Sequence, residues 1–337
     1  MQNIRIIEGT YKIRGKDVDL QGMVFPLVEE FKVGAKGGYV TVDGKAIAGF
    51  PDRNIKIMCD SDEAYELVGA DVETVTREET DEETIERLRE RFEMLKDMTR
   101  AAKKGDVRAM IVTGPPGVGK SHGVEEVLGK HDLIADIAGD SRLKKYEVVK
   151  GAMSAIGLYA KLYQYADKDN VLVFDDCDSV LMDDLSLNIL KAALDSKKSR
   201  RIHWNTDSRL LRQEGIPDSF EFKGSAIFIT NIKFENVKSK KLRDHLEALE
   251  SRCHYIDLTI DTEREKMLRI KQIVADGMLD SYKFDEDTHE EIVDFIDINK
   301  KRLRELSLRT VLKVADLAKA FPSKWEAMAE NTVMKRS

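Results

Sequence analysis

The residues best suited to chemistry lie in the stretch 110–121, where an apolar run leads into a glycine-rich turn. Four of them match the spacing G-x-x-x-x-G-K-[ST], and these are Gly114, Gly119, Lys120 and Ser121. In that pattern, backbone N–H groups of the loop and of the following helix N-terminus point at phosphate oxygens. The stretch therefore predicts a phosphate-binding loop between a strand and a helix.

The loop residues have distinct predicted roles. Gly117 adds to the loop because a side chain there would block the approach of phosphate to the backbone. Lys120 places a positive charge on the β and γ oxygens, and Ser121 offers a hydroxyl to Mg²⁺, which prefers oxygen ligands. The other predicted nucleotide contacts in this loop and first helical turn are Pro115, Pro116, Val118 and His122. The alternative, a glycine-rich turn without a ligand, leaves the Lys-Ser pair unexplained.

Two carboxylates follow a second apolar run at residues 171–174. A continuous apolar run is typical of a buried parallel strand, whose carboxyl end opens on the ligand crevice. Asp175 is placed to hold Mg²⁺ through water, and Asp176 to orient or deprotonate an attacking water. Acidic residues in a solvated loop are the alternative interpretation.

A third apolar run, at residues 226–229, ends in Thr230 and Asn231. The Asn231 side chain could hydrogen bond both the attacking water and the γ-phosphate if its strand lies between the other two. The sequence therefore predicts that three strand ends meet at one phosphate site.

These motifs together resemble those of the AAA+ ATPase family, with Walker A at 114–121, Walker B at 171–176 and sensor 1 at 230–231. The resemblance covers about residues 100–325. It implies an ATP hydrolase of the α/β class that uses ATP and Mg²⁺. The expected fold is a three-layer α/β/α P-loop NTPase core with a parallel sheet, a C-terminal helical lid and a small N-terminal β-containing segment. Within the family, the chain is most similar in general organisation to a compact, replication-associated ATPase of a phage or a bacterium.

Two arginines extend the resemblance. Arg252 precedes the strand-like run 253–258, where the family carries the arginine finger offered to a neighbouring subunit's nucleotide, and its Ser-Arg-Cys context is similar to the clamp-loader branch. Arg309, near a helix start, matches the sensor 2 arginine of the lid. The alternative for each is a surface salt bridge, with Glu250 and Glu305 respectively.

One departure from the family concerns the end of Walker B, which is usually Asp-Glu but here is Asp175-Asp176. An aspartate is one methylene shorter, so a base positioned for glutamate would sit about 1 Å back, which can cost about 100-fold in rate. Three outcomes stay open: slow hydrolysis, a compensating backbone, or a contribution from Asp178.

Composition limits the class of protein. With 337 residues, 42% hydrophobic and 35% charged, the chain is expected to be a soluble globular protein of two or three domains. No apolar run approaches the ~18 residues of a membrane span, and no signal-peptide core is apparent. We therefore expect no membrane partner and a cytoplasmic location, in the host cytoplasm if the protein is phage-encoded. The three cysteines suggest reduced thiols, and the net charge of −7 argues against a generally basic, DNA-coating surface.

Changes of pattern predict three parts: an accessory segment at 1–78, the nucleotide-binding core at 79–260 and a helical lid at 261–337. In the first part, Asp43-Gly44 is a strong signal for a tight hairpin, and residues 54–58 suggest a strand. In the second, Thr80 and Glu83 form a capping box that begins a long helix. The lid is predicted to contain helices at 262–278, 285–298 and 308–321.

The core contains an insertion before the third apolar strand. An amphipathic helix is predicted at 182–195, and the aromatic runs 202–204 and 220–222 could pair as a hairpin. The basic cluster 197–201 and Trp204 suit nucleic acid, where phosphates attract cations and bases stack on aromatic rings. Trp204 as a core residue and the cluster as a solvated helix end are equally compatible.

The sequence thus predicts an AAA+ ATPase acting as a homo-oligomeric ring, a hexamer being one option, that remodels or loads onto DNA or DNA-bound protein. A protein-remodelling chaperone and a slowly hydrolysing, ATP-gated assembly scaffold are the alternatives. The client, the ring size, direct DNA binding and the role of residues 1–78 do not follow from the sequence.

Overall fold

The computed structural model describes residues 2–13, 15–47, 50, 53–69, 79–130, 137, 139, 144–232 and 234–335. The chain divides into two compact units, Met1–Thr84 and Ile85–Ser337. The predicted boundary between residues 78 and 79 adjoins the segment 70–78, which lies outside the described residues.

The first unit contains an antiparallel sheet. Its strands are β1 (Asn3–Ile6), β2 (Thr10–Ile13), β3 (Lys16–Asp19), β4 (Val24–Gly34), β5 (Gly37–Asp43), β6 (Asn54–Met58) and β7 (Tyr65–Val68), with short 3₁₀ turns at Gly44–Ala46 and Asp62–Ala64. The strand order is β3-β2-β6-β5-β4-β1-β7. Alternate residues of the strands form the core of this unit, among them the fully buried Ile4, Phe25, Val40, Val42 and Ile57.

The predicted strand at 54–58 is confirmed as β6, but the predicted tight hairpin at Asp43-Gly44 is wrong. The Asp43 carboxylate accepts a hydrogen bond of 2.9 Å from the backbone N–H of Lys45 and so caps a 3₁₀ turn. Strands β5 and β6 do pair, but from Asp43 opposite Asn54, so a longer connection joins them. Residues 48, 49, 51 and 52 of that connection lie outside the described residues.

The second unit is an α/β structure with a C-terminal group of helices. Its strands are β8 (Ala109–Thr113), β9 (Tyr146–Lys150), β10 (Val171–Asp175), β11 (Arg201–His203), β12 (Ser219–Glu221), β13 (Ser225–Ile229) and β14 (His254–Asp257). Its helices are α1 (Asp81–Lys103), α2 (Lys120–Gly129), α3 (Ala155–Gln164), α4 (Asp184–Ala193), α5 (Arg209–Gln213), α6 (Lys240–Glu250), α7 (Glu263–Ile273), α8 (Glu286–Asn299), α9 (Leu308–Ala320) and α10 (Trp325–Val333). Single turns lie at Asp178–Leu181, Phe234–Asn236, Val274–Met278 and Asp280–Tyr282.

The central sheet is parallel, with the order β14-β8-β13-β10-β9. Alternate residues of β10 point to opposite faces: Leu172 and Phe174 pack with α3, α4 and α6, whereas Val171 and Val173 pack with α1 and α2. This is the predicted α/β/α core. Because β13 lies between β8 and β10, the polar residues after all three strands meet at one edge of the sheet.

Strands β10 and β13 end at, or one residue after, the apolar runs that predicted them. Strand β10 ends at Asp175, which leaves Asp176 outside the ladder, and β13 ends at Ile229, before Thr230 and Asn231. Each of these three residues therefore lies at the carboxyl end of its strand, where loops form ligand sites in α/β folds.

The helices from α7 onward form the predicted helical lid around their own apolar cluster. Helix α10 follows Pro322 and is a further lid helix besides the three whose bounds were predicted. It is held there by Trp325, which is 6% exposed and whose ring centroid lies 5.3 Å from that of Phe295. Helix α9 does end before the proline, as predicted, because proline cannot continue the backbone hydrogen bonding of a helix.

The predicted hairpin of the insertion is confirmed, with Ile202 opposite Phe220 in an antiparallel pair. Trp204 is half-buried, and its ring packs 5.5 Å from that of Tyr159. Arg200 of the basic cluster is also buried, because its guanidinium donates to backbone carbonyls and lies over the Phe222 ring. These two residues therefore serve the core of the insertion.

Candidate functional site

The phosphate-binding loop leaves the buried strand β8 and enters helix α2 at Lys120. Three of its glycines have left-handed backbones, with φ of 142° at Gly114, 70° at Gly117 and 101° at Gly119. A Cβ on Gly114 would lie 2.9 Å from the backbone of Leu258. Gly114 is therefore required for two reasons: its positive φ angle disfavours other residues, and a Cβ would collide with the backbone of Leu258. Both features are expected of a loop that wraps around a phosphate.

Lys120 lies within the loop that it is predicted to serve. Its side chain is 6% exposed, and Nζ donates to the carbonyl oxygens of Gly114 at 2.5 Å and Pro115 at 2.9 Å. A third bond of 2.7 Å reaches Oδ1 of Asn231. Burial lowers the pKa of Lys120 to about 8, although the nearby Asp176 carboxylate acts in the opposite direction.

Ser121 and Asp175 lie side by side, as a shared metal site requires. The Ser121 hydroxyl donates to Oδ1 of Asp175 at 2.8 Å. The other carboxylate oxygen forms a salt bridge of 3.3 Å with Lys150, which also pairs with Glu125 at 2.9 Å. Lys150 reaches Asp175 because the parallel register of β9 and β10 places the two residues opposite each other. Sequence reasoning did not identify this lysine.

Asp176 and Asn231 are joined across the two strand ends. The Asn231 amide donates to Oδ1 of Asp176 at 3.0 Å, and both side chains are exposed. Asp176 has a left-handed φ of 50°, which is uncommon outside glycine and is found at functional sites. Asp178, the alternative base, instead accepts a hydrogen bond of 2.7 Å from the Thr230 hydroxyl.

These side chains line a cavity of about 990 Å³ between the sheet edge and the lid, near the top of the size range of small-molecule sites. We call its sheet side the core wall, which consists of Lys120, Ser121, Asp175, Asp176 and Asn231. Pro116, Gly117, Gly119 and His122 also line it. Pro115 and Val118 instead line a separate cavity of about 300 Å³, so these two predicted contacts lie on the other side of the loop.

The lid approaches the loop through the start of helix α9. The backbone N–H of Leu308 donates to the Gly117 carbonyl at 2.9 Å. A Cβ on Gly117 would lie 2.8 Å from Cβ of Ser307 and 3.5 Å from Cγ of Arg309. Arg309 therefore lies beside the loop, as predicted for a lid arginine, and its charge further lowers the pKa of Lys120, whose main cause is burial.

A second lid arginine was missed. Arg269 of helix α7 lies in the cavity wall, with its guanidinium 3.6 Å from the centroid of the Phe92 ring and a 2.8 Å hydrogen bond from Nη1 to Oε1 of Gln272. We call Arg269, Gln272 and Arg309, which all line the cavity, the lid wall. In sequence, Arg269 is one of several basic residues of α7, so only its burial distinguishes it.

Arg252 is not brought to this cavity. It follows helix α6, is half-buried, and donates from Nη1 to the carbonyl of Ala248 in its own helix. Within the part of the chain that the structure describes, no salt bridge joins it to Glu250. If Arg252 acts on a nucleotide, that nucleotide must belong to another chain.

The site fits a nucleotide and a magnesium ion by its chemistry. Glycines at three left-handed positions leave backbone N–H groups open to phosphate, and Lys120 and Arg309 supply positive charge. Among the described residues, no group of three or more His, Cys, Asp or Glu side chains could hold a metal. A hydroxyl and one carboxylate, as in Ser121 and Asp175, suit Mg²⁺, which keeps several waters.

Comparison with known proteins finds a sequence relative and, among solved structures, structural neighbours. A protein of Enterobacteria phage T4, described as an uncharacterized 36.7 kDa protein in the nrdC-mobD intergenic region, is 34% identical over 340 residues, covering 98% of this chain and 97% of that protein. The structure of the Aeropyrum pernix ORC2 protein in its ADP form covers 78% of this chain and 71% of that chain, with 12% identity and a TM-score of 0.38. No protein-family model matches the chain. In the described ranges, no helix is long and apolar enough to cross a membrane.

Proposed function

The chain belongs to the family of that uncharacterized 36.7 kDa phage T4 protein, and we propose that it is an AAA+ ATPase that binds and hydrolyses ATP with Mg²⁺ in an oligomeric ring. One observation carries the proposal. A continuous set of hydrogen bonds runs from Lys120 through Asn231 to Asp176, beside the Ser121–Asp175 pair. These hydrogen bonds support the proposal that the loop, the groups for Mg²⁺ and the groups for the attacking water act together at one edge of one sheet.

The binding role falls to the loop and Lys120. Nζ of Lys120 is held by two loop carbonyls, close to the open backbone N–H groups. Phosphate oxygens can replace those carbonyls as acceptors, and an ammonium group is attracted more strongly to an anionic oxygen than to a neutral carbonyl oxygen. The buried lysine is thus prepared to exchange weak acceptors for an anion.

Ser121 and Asp175 would hold Mg²⁺, the first directly and the second through water. The ion, when bound, supplies charge that neutralises the developing negative charge on the phosphate oxygens. Asp175 is 5% exposed, so its carboxylate is shielded from bulk water. Its electrostatic interaction with a cation is therefore stronger than it would be at the protein surface.

Asp176 would accept the proton of the attacking water or fix its orientation, with Asn231 holding the carboxylate through a 3.0 Å bond. The left-handed backbone of Asp176 supports the idea that local geometry compensates for the shorter side chain. The slowly hydrolysing, ATP-gated scaffold is the second candidate. It is favoured by the side chain of Asp176, which is one methylene shorter than the glutamate usual at this position.

Ring formation is proposed from Arg252, which lies outside its own cavity and would reach the nucleotide of a neighbour. The client is proposed to be DNA or a DNA-bound protein, because Lys197, Lys198 and Arg201 remain exposed at the root of the hairpin. Stimulation of ATP turnover by single-stranded DNA would separate this client from that of a protein-remodelling chaperone.

The proposal is tested by Lys120→Ala, with binding of ATP and Mg²⁺ measured by titration calorimetry. We expect loss of measurable binding, at least about 100-fold, because the buried charge-assisted bonds to phosphate disappear. Lys161→Ala is the matched control, since Lys161 pairs with Glu147 at 2.8 Å and does not line the cavity. Unchanged affinity in a folded Lys120→Ala protein would show that the loop is not the nucleotide site.

A further inference from the structure

Arg269 is a buried cation whose charge is not paired. It is 7% exposed, and no salt bridge joins it to a carboxylate within the described residues. Among the described residues, its Nε has no hydrogen-bond acceptor, and neither has Nε2 of its neighbour Gln272. Burial lowers the pKa of Arg269 to about 10, an effect only partly offset by the charge of Asp276. Burying a charge in this way costs folding free energy, so a compensating ligand is expected.

Arg200 shows what a structural buried arginine looks like in the same chain. It is 8% exposed and lies over the Phe222 ring, 5.3 Å from the centroid. Its guanidinium, however, donates to the carbonyls of Ala193 at 3.3 Å and Gly224 at 3.1 Å. Within the described ranges, Arg269 has no comparable backbone acceptors, and it lies in a cavity wall, so core packing alone does not account for it.

The position of Arg269 indicates the ligand. A Cβ on Gly119 would lie 3.9 Å from its Nη2, so the guanidinium is close to the start of helix α2. Arg309 instead approaches the loop at Gly117. Backbone groups of this kind of loop hold the α and β phosphates, whereas the lysine reaches the β and γ phosphates. The two lid arginines therefore meet the loop at two different points.

We propose that Arg269 is a second nucleotide-binding arginine of the lid, which contacts a phosphate that ATP and ADP have in common. The inference rests on the proposed function and adds a binding residue to it. Gln272 is a positioning residue, because its Oε1 accepts from Nη1 and fixes the plane of the guanidinium on Phe92. The anion supplies the counter-charge that the folded chain lacks at this point.

The test is Arg269→Met, which keeps the apolar bulk and removes the charge. We expect ATP and ADP to bind about tenfold to a hundredfold more weakly, and to similar extents, since a bond to a charged group is lost in both complexes. Without nucleotide, the melting temperature should be unchanged or higher, because an unpaired buried charge has been removed. Arg269→Lys, which keeps the charge, should recover part of the affinity for both nucleotides.

Two variants are matched controls. Arg200→Met should lower the melting temperature of the nucleotide-free protein, because two buried carbonyls lose their donor, and leave the affinities unchanged. Arg87→Gln removes the 2.6 Å salt bridge between Arg87 of α1 and Glu265 of α7, a lid contact away from the cavity. It separates the docking of the lid from contact with phosphate, and we expect both affinities to change less than threefold.

The outcomes are distinct. Unchanged affinities in Arg269→Met, or a fall in melting temperature like that of Arg200→Met, would make Arg269 a packing residue and overturn the inference. Loss of ATP affinity alone would place Arg269 at the γ-phosphate and contradict the shared phosphate. An equal loss in Arg87→Gln would assign the effect to lid docking. If the wild-type chain binds neither ATP nor ADP, it is the proposed function that fails.

Discussion

The two walls of the cavity satisfy their polar groups in different ways. On the core wall, the polar side chains hydrogen bond to one another: Lys120 to Asn231, Asn231 to Asp176, and Ser121 to Asp175. Such a network is organised before any ligand arrives, which limits the reorganisation needed at the moment of reaction.

The lid wall is organised to a lesser degree. Nε of Arg269 and Nε2 of Gln272 are buried without partners among the described residues. A ligand shifts a conformational equilibrium only through groups that it contacts differently in the two states. If the proposed nucleotide binds here, it would therefore act mainly on the lid, because the core wall is already formed.

The largest expected effect concerns Arg252, because a residue from a neighbouring subunit would add a third contributor to a site that the core wall and the lid wall do not complete by themselves. Arg252→Ala should bind ATP normally yet hydrolyse it about 10³-fold to 10⁵-fold more slowly, because an arginine supplied by a neighbour stabilises transition-state charge. Specific activity should also rise steeply with protein concentration. Both are measured by phosphate release over a dilution series.

A mixing experiment sharpens this prediction. Lys120→Ala and Arg252→Ala subunits, each inactive alone, should recover part of the activity when mixed, since a mixed ring contains some sites with an intact loop and an intact finger. Two results would contradict the role of Arg252 in a neighbouring site: no recovery in demonstrably mixed rings, or activity of wild-type monomers that does not depend on concentration. Either result would mean that the core wall and the lid wall form the complete site.

The next largest effect is expected at Asp176 and tests whether this residue of the core wall is the base for hydrolysis. Asp176→Asn should retain ATP and lose about 10²-fold to 10⁴-fold in hydrolysis, the range that a positioned base contributes. Asp176→Glu should preserve or raise the rate by extending the carboxylate. Single-turnover hydrolysis measures both variants, and an unchanged rate in Asp176→Asn would move the role to another residue.

The smallest expected effect concerns the charge of Lys120. Its pKa of about 8 in the free protein lies below the ordinary 10.5, so the ammonium group loses its proton as the pH rises through 8. Phosphate favours the charged form, so ATP affinity should fall about tenfold from pH 7 to pH 9, with proton uptake on binding above pH 8. Calorimetry in buffers of different ionisation enthalpy detects that uptake. No proton uptake at pH 8.5 would mean that the free lysine is already fully charged.

The same depressed pKa has a consequence for folding. Between pH 8 and 10.5 the unfolded chain binds more protons at Lys120 than the folded chain does. The contribution of this residue to the free energy of unfolding therefore rises with pH across that window.

The core wall was predictable because each of its residues is adjacent in sequence to an apolar strand. Strand ends of a parallel sheet meet at one edge, so the loop, Asp175 and Asn231 could be placed together without knowing the packing. Lys150 could not be found in this way, since its contact with Asp175 depends on the register of β9 against β10.

The lid wall was not predictable, because Arg269 is conspicuous only by its burial. Helix α7 also contains Arg264, Lys266 and Lys271, and nothing local indicates which of these faces Phe92 of α1. The first unit was predicted only as β-containing, and its strand β4 was missed for a related reason. The register of β4 against β5 shifts between Leu27 and Glu29 and again before Lys32, which interrupts the alternation that reveals a strand.

The close approach of Gly117 to Ser307 also has a consequence for how this protein can vary over generations. A Cβ at position 117 would meet the Ser307 side chain at 2.8 Å, and the left-handed backbone of Gly117 already disfavours other residues. Any enlargement at position 307 would in turn press on the phosphate-binding loop. A larger residue at either position would therefore require a compensating change at the other, although the chain between them includes most of the core.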